Sequence, residues 1–110
     1  MKPLNRLKQK AFNEAVDSGR ARGCPGFEEL VKHILHMREE VDEVLRAFCS
    51  LEGRAKPQMV LEEFADVFII TASALGSYQA ALGFTVDIDA VVEQKIKKNR
   101  KRAQKEYCNG

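Results

Sequence analysis

Residues 27–51 read FEELVKHILHMREEVDEVLRAFCSL, and the order of apolar side chains in this stretch decides the fold. Leu30, Ile34, Met37, Val41, Val44 and Phe48 recur at alternating steps of four and three. Such spacing lays them along one stripe of an α-helix that faces a bundle. Beyond it, Gly53–Pro57 breaks the chain. A third segment then runs from about Gln58 to Leu82 and stops at Gly83, a residue suited to the position after a helix. Before it, residues 19–26 (GRARGCPG) form a loop rich in breakers. A first segment, about Pro3 to Ser18, carries Leu4, Leu7, Ala11 and Ala15 at helical spacing. A fourth starts after Asp87, an N-capping residue type, and runs to about Lys105. Apart from the short Phe84–Ile88 stretch, no segment alternates with period two. The expected fold is all-α: an antiparallel bundle of about four helices in a single domain, residues 1–110.

Within the third segment, Phe64 to Leu75 reads FADVFIITASAL, apolar on every face but for one charge, Asp66. A helix apolar all round is buried all round. A chain of this size buries only a modest core, so a second subunit is expected to complete the bundle. The apolar content of 45% and charged content of 31% place the chain among folded rather than disordered proteins. Met1 to Ala15 is polar and basic with no apolar run of signal-peptide type, and Val67 to Leu75 is too short to span a membrane. A cytoplasmic protein is expected. Cys24, Cys49 and Cys108 are scattered, with no CxxC, which argues against a disulfide framework or a structural zinc site and for reduced thiols.

Two acidic pairs carry the functional signal. Glu40 and Glu43 are spaced i, i+3 in segment two, and Glu63 and Asp66 repeat that spacing in segment three. Measured from the apolar stripe of its own helix, the first pair lies roughly 80° and 140° to one side and the second roughly 60° and 120° to the same side. Two antiparallel helices facing each other are related by a two-fold axis, so equal signed offsets bring all four carboxylates to one side of the hairpin. Both pairs also lie about two to three turns from the intervening break. Glu39 and Asp42 share the spacing but fall on the opposite face. Converging acids repel, and a divalent cation relieves that repulsion better than protonation does. All-oxygen ligands without His or Cys select hard ions, magnesium or manganese, and magnesium in turn favours a phosphate-bearing substrate.

These stretches resemble the all-α nucleotide pyrophosphohydrolase superfamily, the MazG-like and dimeric-dUTPase-like enzymes. REEVDEVLRAF is similar to that family's ExxE helix, EEFADVFII to its ExxD helix, EQKIKKNRKR to its closing helix and FNEAVDSG to its first helix. The resemblance covers most of the chain in the family's order. It implies a helical fold that assembles as a homodimer or homotetramer. It also implies magnesium-dependent hydrolysis of a nucleoside triphosphate between the α and β phosphates, giving a nucleoside monophosphate and pyrophosphate. Glu40, Glu43, Glu63 and Asp66 would hold the ions, and one of the glutamates Glu40 and Glu43 would take a proton from the attacking water. Lys95, Asn99 and Arg102 would contact the phosphates, and Asn13 is the candidate base contact. Several relatives place tryptophans near the base; this chain has none.

His33 and His36 fall on the same flank as Glu40, but no ExxH motif of di-iron type is present, so they read as polar flank or outer-shell groups rather than ligands. From Lys95 onward seven Lys/Arg face one acid, a local net of +6, against +2 for the whole chain. That asymmetry opens a second reading, a helical interaction or nucleic-acid-binding module without chemistry. No aromatic interleaves Lys97 to Lys105, which disfavours base stacking and with it nucleic acid as a partner.

Overall fold

The computed structural model describes residues 2–109, with side chains as far as Glu106. It is all-α: α1 (Pro3–Asp17), α2 (Phe27–Cys49), α3 (Leu51–Ala55), α4 (Pro57–Leu82) and α5 (Ile88–Asn109), with no strand among the described residues. Local chemistry accounts for the ends. Pro3 and Pro57 each stand in the first turn of a helix, where a missing N–H costs nothing. Glu28 and Glu29 in the first turn of α2 and Arg46 in its last complement the helix dipole. Gly83 ends α4 in the left-handed region at φ 79° and donates its N–H to Gln79 O.

The turn between the two acidic helices differs from the expected break at Gly53–Pro57. The chain kinks at Ser50 and again at Lys56, with α3 between them. Ser50 Oγ accepts from Gly53 N at 2.8 Å and donates to Ala47 O at 2.8 Å, so it caps α3 and ties it to the end of α2. Gly53 is not a breaker here. A Cβ at this position would lie 1.9 Å from Ala47 O, so only glycine permits the tight return.

Helix α4 is the centre of the fold, packed by α1 and by α2. The α1–α4 seam is made of small residues: Ala11 and Ala15 from α1 against Ala72, Ser73, Gly76 and Ser77 from α4, all buried. Their size lets the helices approach until a Cβ on Gly76 would sit 2.4 Å from Phe12 Cβ. Lys8 is buried beside this seam, and its ammonium donates to Gln79 Oε1 and Val86 O, which folds the 83–87 connection against α1.

The N-termini of α1 and α5 are stitched together. Asp89 accepts from Leu4 N at 3.1 Å and Asn5 N at 2.9 Å, while Asn5 Oδ1 accepts from Ile88 N at 2.8 Å. Asp87 caps α5 by accepting from Ala90 N at 3.1 Å and also accepts from Asn5 Nδ2 at 2.8 Å. The Asn5 amide first, and the Ala90 N–H second, hold the Asp87 carboxyl below its usual range. Two positive helix ends meet two aspartates, which is favourable for both dipoles. Past this stitch α5 leaves the body: among the described residues it touches α1 alone, and residues 91–106 are exposed.

The expected all-round burial of Phe64–Leu75 is therefore not met within one chain. Phe64, Phe68 and Ile69 are exposed, as are Ile34, Val41 and Phe48 of the α2 stripe. The reason is geometric: among the described residues, of the two hairpin helices α1 packs on α4 alone, and α5 packs on neither. The radius of gyration, 16.8 Å, exceeds the roughly 13 Å of a compact domain of this length. Cys24 and Cys49 are free thiols, in line with the sequence expectation; the Cys108 side chain lies outside the described residues.

The close seam makes a direct prediction. Gly76→Ala gains helix propensity but overpacks against Phe12, a cost of about 1–3 kcal/mol. The thermal midpoint is expected to fall by several degrees in a calorimetric scan. An unchanged or higher midpoint would mean that α1 does not pack this closely.

Candidate metal centre

Helix α2 supplies Glu40 and Glu43, and α4 supplies Glu63 and Asp66. The antiparallel return through α3 brings these helices side by side, and ligand atoms of Glu40, Glu43 and Glu63 all lie within 4.8 Å of one another. Glu40 and Glu63 are half-buried, while Glu43 and Asp66 are exposed. Oε2 of Glu40 and Oε2 of Glu63 are buried without any hydrogen-bond partner. Such orphaned acceptors are uncommon in folded chains. The other Glu40 oxygen, Oε1, lies 3.1 Å from His36 Nε2.

Burial pushes the Glu63 carboxyl above the usual glutamate range, and the charges of Glu43, Asp66 and Glu40 push it the same way, as does its hydrogen bond with Glu43. Asp66 thus belongs to the electrostatics of the cluster although it stands outside the close triad. It lines, with Glu40, a cavity of about 200 Å³ that continues from the acids along His33, His36, Ile70 and Ser73. The donor set is all oxygen and anionic, which suits a hard divalent cation such as magnesium or manganese. Glu40, Glu43 and Glu63 are the residues that can hold it together, with Asp66 beside them.

The remaining candidates lie elsewhere in the chain. Asn13 is exposed on the other side of α1, in a separate cavity of about 590 Å³ with Lys8 and Gln79. Lys95, Asn99 and Arg102 are exposed on α5, which does not touch α2 or α4. Within one chain none of these four joins the carboxylates. Sequence reasoning passed over Glu14 and Arg20, an ion pair at the cavity mouth, and Ser73 in its wall. Ser73 follows Asp66 by seven residues, two helical turns, a spacing that carried the signal.

No family model, no curated protein and no solved structure matches the chain.

The Glu63 shift has a sign that can be checked. A carboxyl whose folded pKa is raised favours the folded state when protonated, and that contribution is lost as pH rises through the folded pKa. At neutral pH the ionised Glu63 therefore weakens the metal-free fold. Glu63→Gln is expected to be more stable than wild type at pH 7 without metal. The gap should close as pH falls into the usual carboxylate range. Chemical denaturation at several pH values reads this, and a less stable variant at pH 7 would contradict it.

Proposed function

We propose that the chain is a magnesium-dependent nucleoside triphosphate pyrophosphohydrolase, releasing pyrophosphate and a nucleoside monophosphate. The observation that carries the reading is the set of three glutamates, drawn from two antiparallel helices, that converge around two unpartnered carboxylate oxygens. The resemblance of the acidic helices and the closing helix to the MazG-like enzymes supports it.

On this reading Glu40, Glu43, Glu63 and Asp66 hold the cation. When bound, the cation would neutralise phosphate charge and polarise the phosphorus under attack. The protein's part is positioning and charge placement. A water oxygen bonds to the α-phosphorus, the bridging bond to the β-phosphate breaks, and pyrophosphate leaves. Glu40 or Glu43 takes the proton of that water. The exposed Glu43 is the more open of the two to an incoming water, since Glu40 is half-buried and engaged with His36.

Lys95, Asn99 and Arg102 then reach the phosphates from the α5 of a second copy, because α5 of the same chain packs on α1 alone. Two uncovered apolar surfaces favour such an assembly. One is the open side of the hairpin, where Ile34, Val41 and Phe68 are exposed, and the other is the α5 stripe of Val91, Val92 and Ile96. Patches of this kind mark interaction surfaces, and a homodimer or homotetramer buries them reciprocally. The projecting basic α5 also favours the second reading, a nucleic-acid-binding module. Salt-sensitive binding to nucleic acid with no turnover of any nucleotide would select it. No helix among the described residues is long and apolar enough to cross a membrane.

Three outcomes test the proposal. Pure protein with magnesium should release pyrophosphate from at least one member of a nucleoside triphosphate panel. Glu43→Gln and Asp66→Asn should keep the helical circular-dichroism spectrum and lose about a hundredfold or more in turnover. Unchanged turnover in both variants would remove the site. Light scattering at micromolar concentration should give a mass of at least twice 12.4 kDa, and a monomeric mass would contradict the shared site.

A further inference from the structure

His36 stands one helical turn before Glu40 on α2, with Nε2 3.1 Å from Glu40 Oε1. A His–Glu pair at this spacing on an open helix is ordinarily a minor surface contact. Here the acceptor is not a free surface group. The Glu40 side chain is 17% exposed against 45% for His36, so the imidazole lies on the outer side of the pair. The two oxygens of Glu40 are unequal: Oε1 is engaged by the ring, and Oε2 is buried with no partner. A carboxylate accepts, so Nε2 carries the hydrogen that is donated. His33 lines the same cavity but makes no hydrogen bond to the acids among the described residues.

Resting on the cation reading above, we infer that His36 is a positioning residue, whose Nε2–H fixes the Glu40 carboxylate by one oxygen so that the other is presented to the cation. The carboxylate has a free torsion about its last bond and would otherwise turn toward solvent. Groups that hold metal-binding side chains in this way set affinity without touching the metal. Among the described residues no basic side chain bonds to Glu43 or Asp66, both more exposed, as His36 does to Glu40, which makes Glu40 the pre-oriented member of the set.

The test uses the full chain without nucleotide. Magnesium is titrated while the thermal unfolding midpoint is followed, because a ligand of the folded state raises it by mass action. His36→Ala should shift the half-effective magnesium concentration upward about tenfold, the lower end of the range for such partners. His36→Gln, whose side-chain amide can donate to the same oxygen, should recover most of that loss. In turnover assays His36→Ala should raise the magnesium requirement while leaving kcat at saturating magnesium within about twofold of wild type. Superimposable titrations of wild type and His36→Ala would overturn the inference, as would a Gln variant no better than Ala. A folded wild type whose midpoint ignores both magnesium and manganese would overturn the cation reading itself, and this inference with it.

Discussion

Like charge held at close range is the constraint around which the α2–α4 hairpin is arranged. Three glutamates bring oxygens within 4.8 Å of one another, two of those side chains are half-buried, and two oxygens have no partner. Such an arrangement weakens the metal-free fold, and the raised Glu63 pKa is its electrostatic signature. Neighbouring features hold the strained group in place. The Ser50 cap and the Gly53 close approach fix the return between the helices, and the small-residue seam pins α1 over α4. Stability withheld at one place and supplied around it is the usual relation between a functional site and its scaffold.

The same architecture divides the molecule into two charge regions. The acids sit on the α2–α4 hairpin, which α1 meets only along α4, and the basic residues of α5 project from a stitch between two helix N-termini. Asp87 and Asp89 are spent on that stitch rather than on the cluster, which separates the chain's structural acids from its candidate functional ones. The helix that carries the phosphate-binding candidates is thereby aimed away from its own carboxylates. In the proposed function this geometry turns assembly into a requirement of the site.

What was legible in the sequence is what lies within a single helix. The four long helices, the Gly83 stop and the Asp87 cap follow from local patterns that the structure repeats. Counting residues around each helix also anticipated that Glu40, Glu43 and Glu63 converge. What was not legible depends on how helices cross. Asp66, expected with the other three, falls beside the close triad, which its own spacing along α4 does not reveal. Asn13 points to a different cavity because the register of α1 is set by the Gly76–Phe12 approach, which α1's own pattern does not reveal. Gly53 reads as a breaker in sequence, yet it lies within α3, and glycine is needed there because Ala47 O leaves no room for a Cβ. The position of α5 rests on hydrogen bonds with Asn5, more than eighty residues away in the chain, whose amide donates to Asp87 and accepts from Ile88 N.

The central claim is that these carboxylates form a site for a hard divalent cation. Crystals grown with manganese and measured near its absorption edge test it most directly. The account predicts an anomalous difference peak bounded by the carboxylates of Glu40, Glu43 and Glu63, with Asp66 adjacent. No peak there at saturating manganese, or peaks confined to other acids such as Glu39 and Asp42, would contradict it.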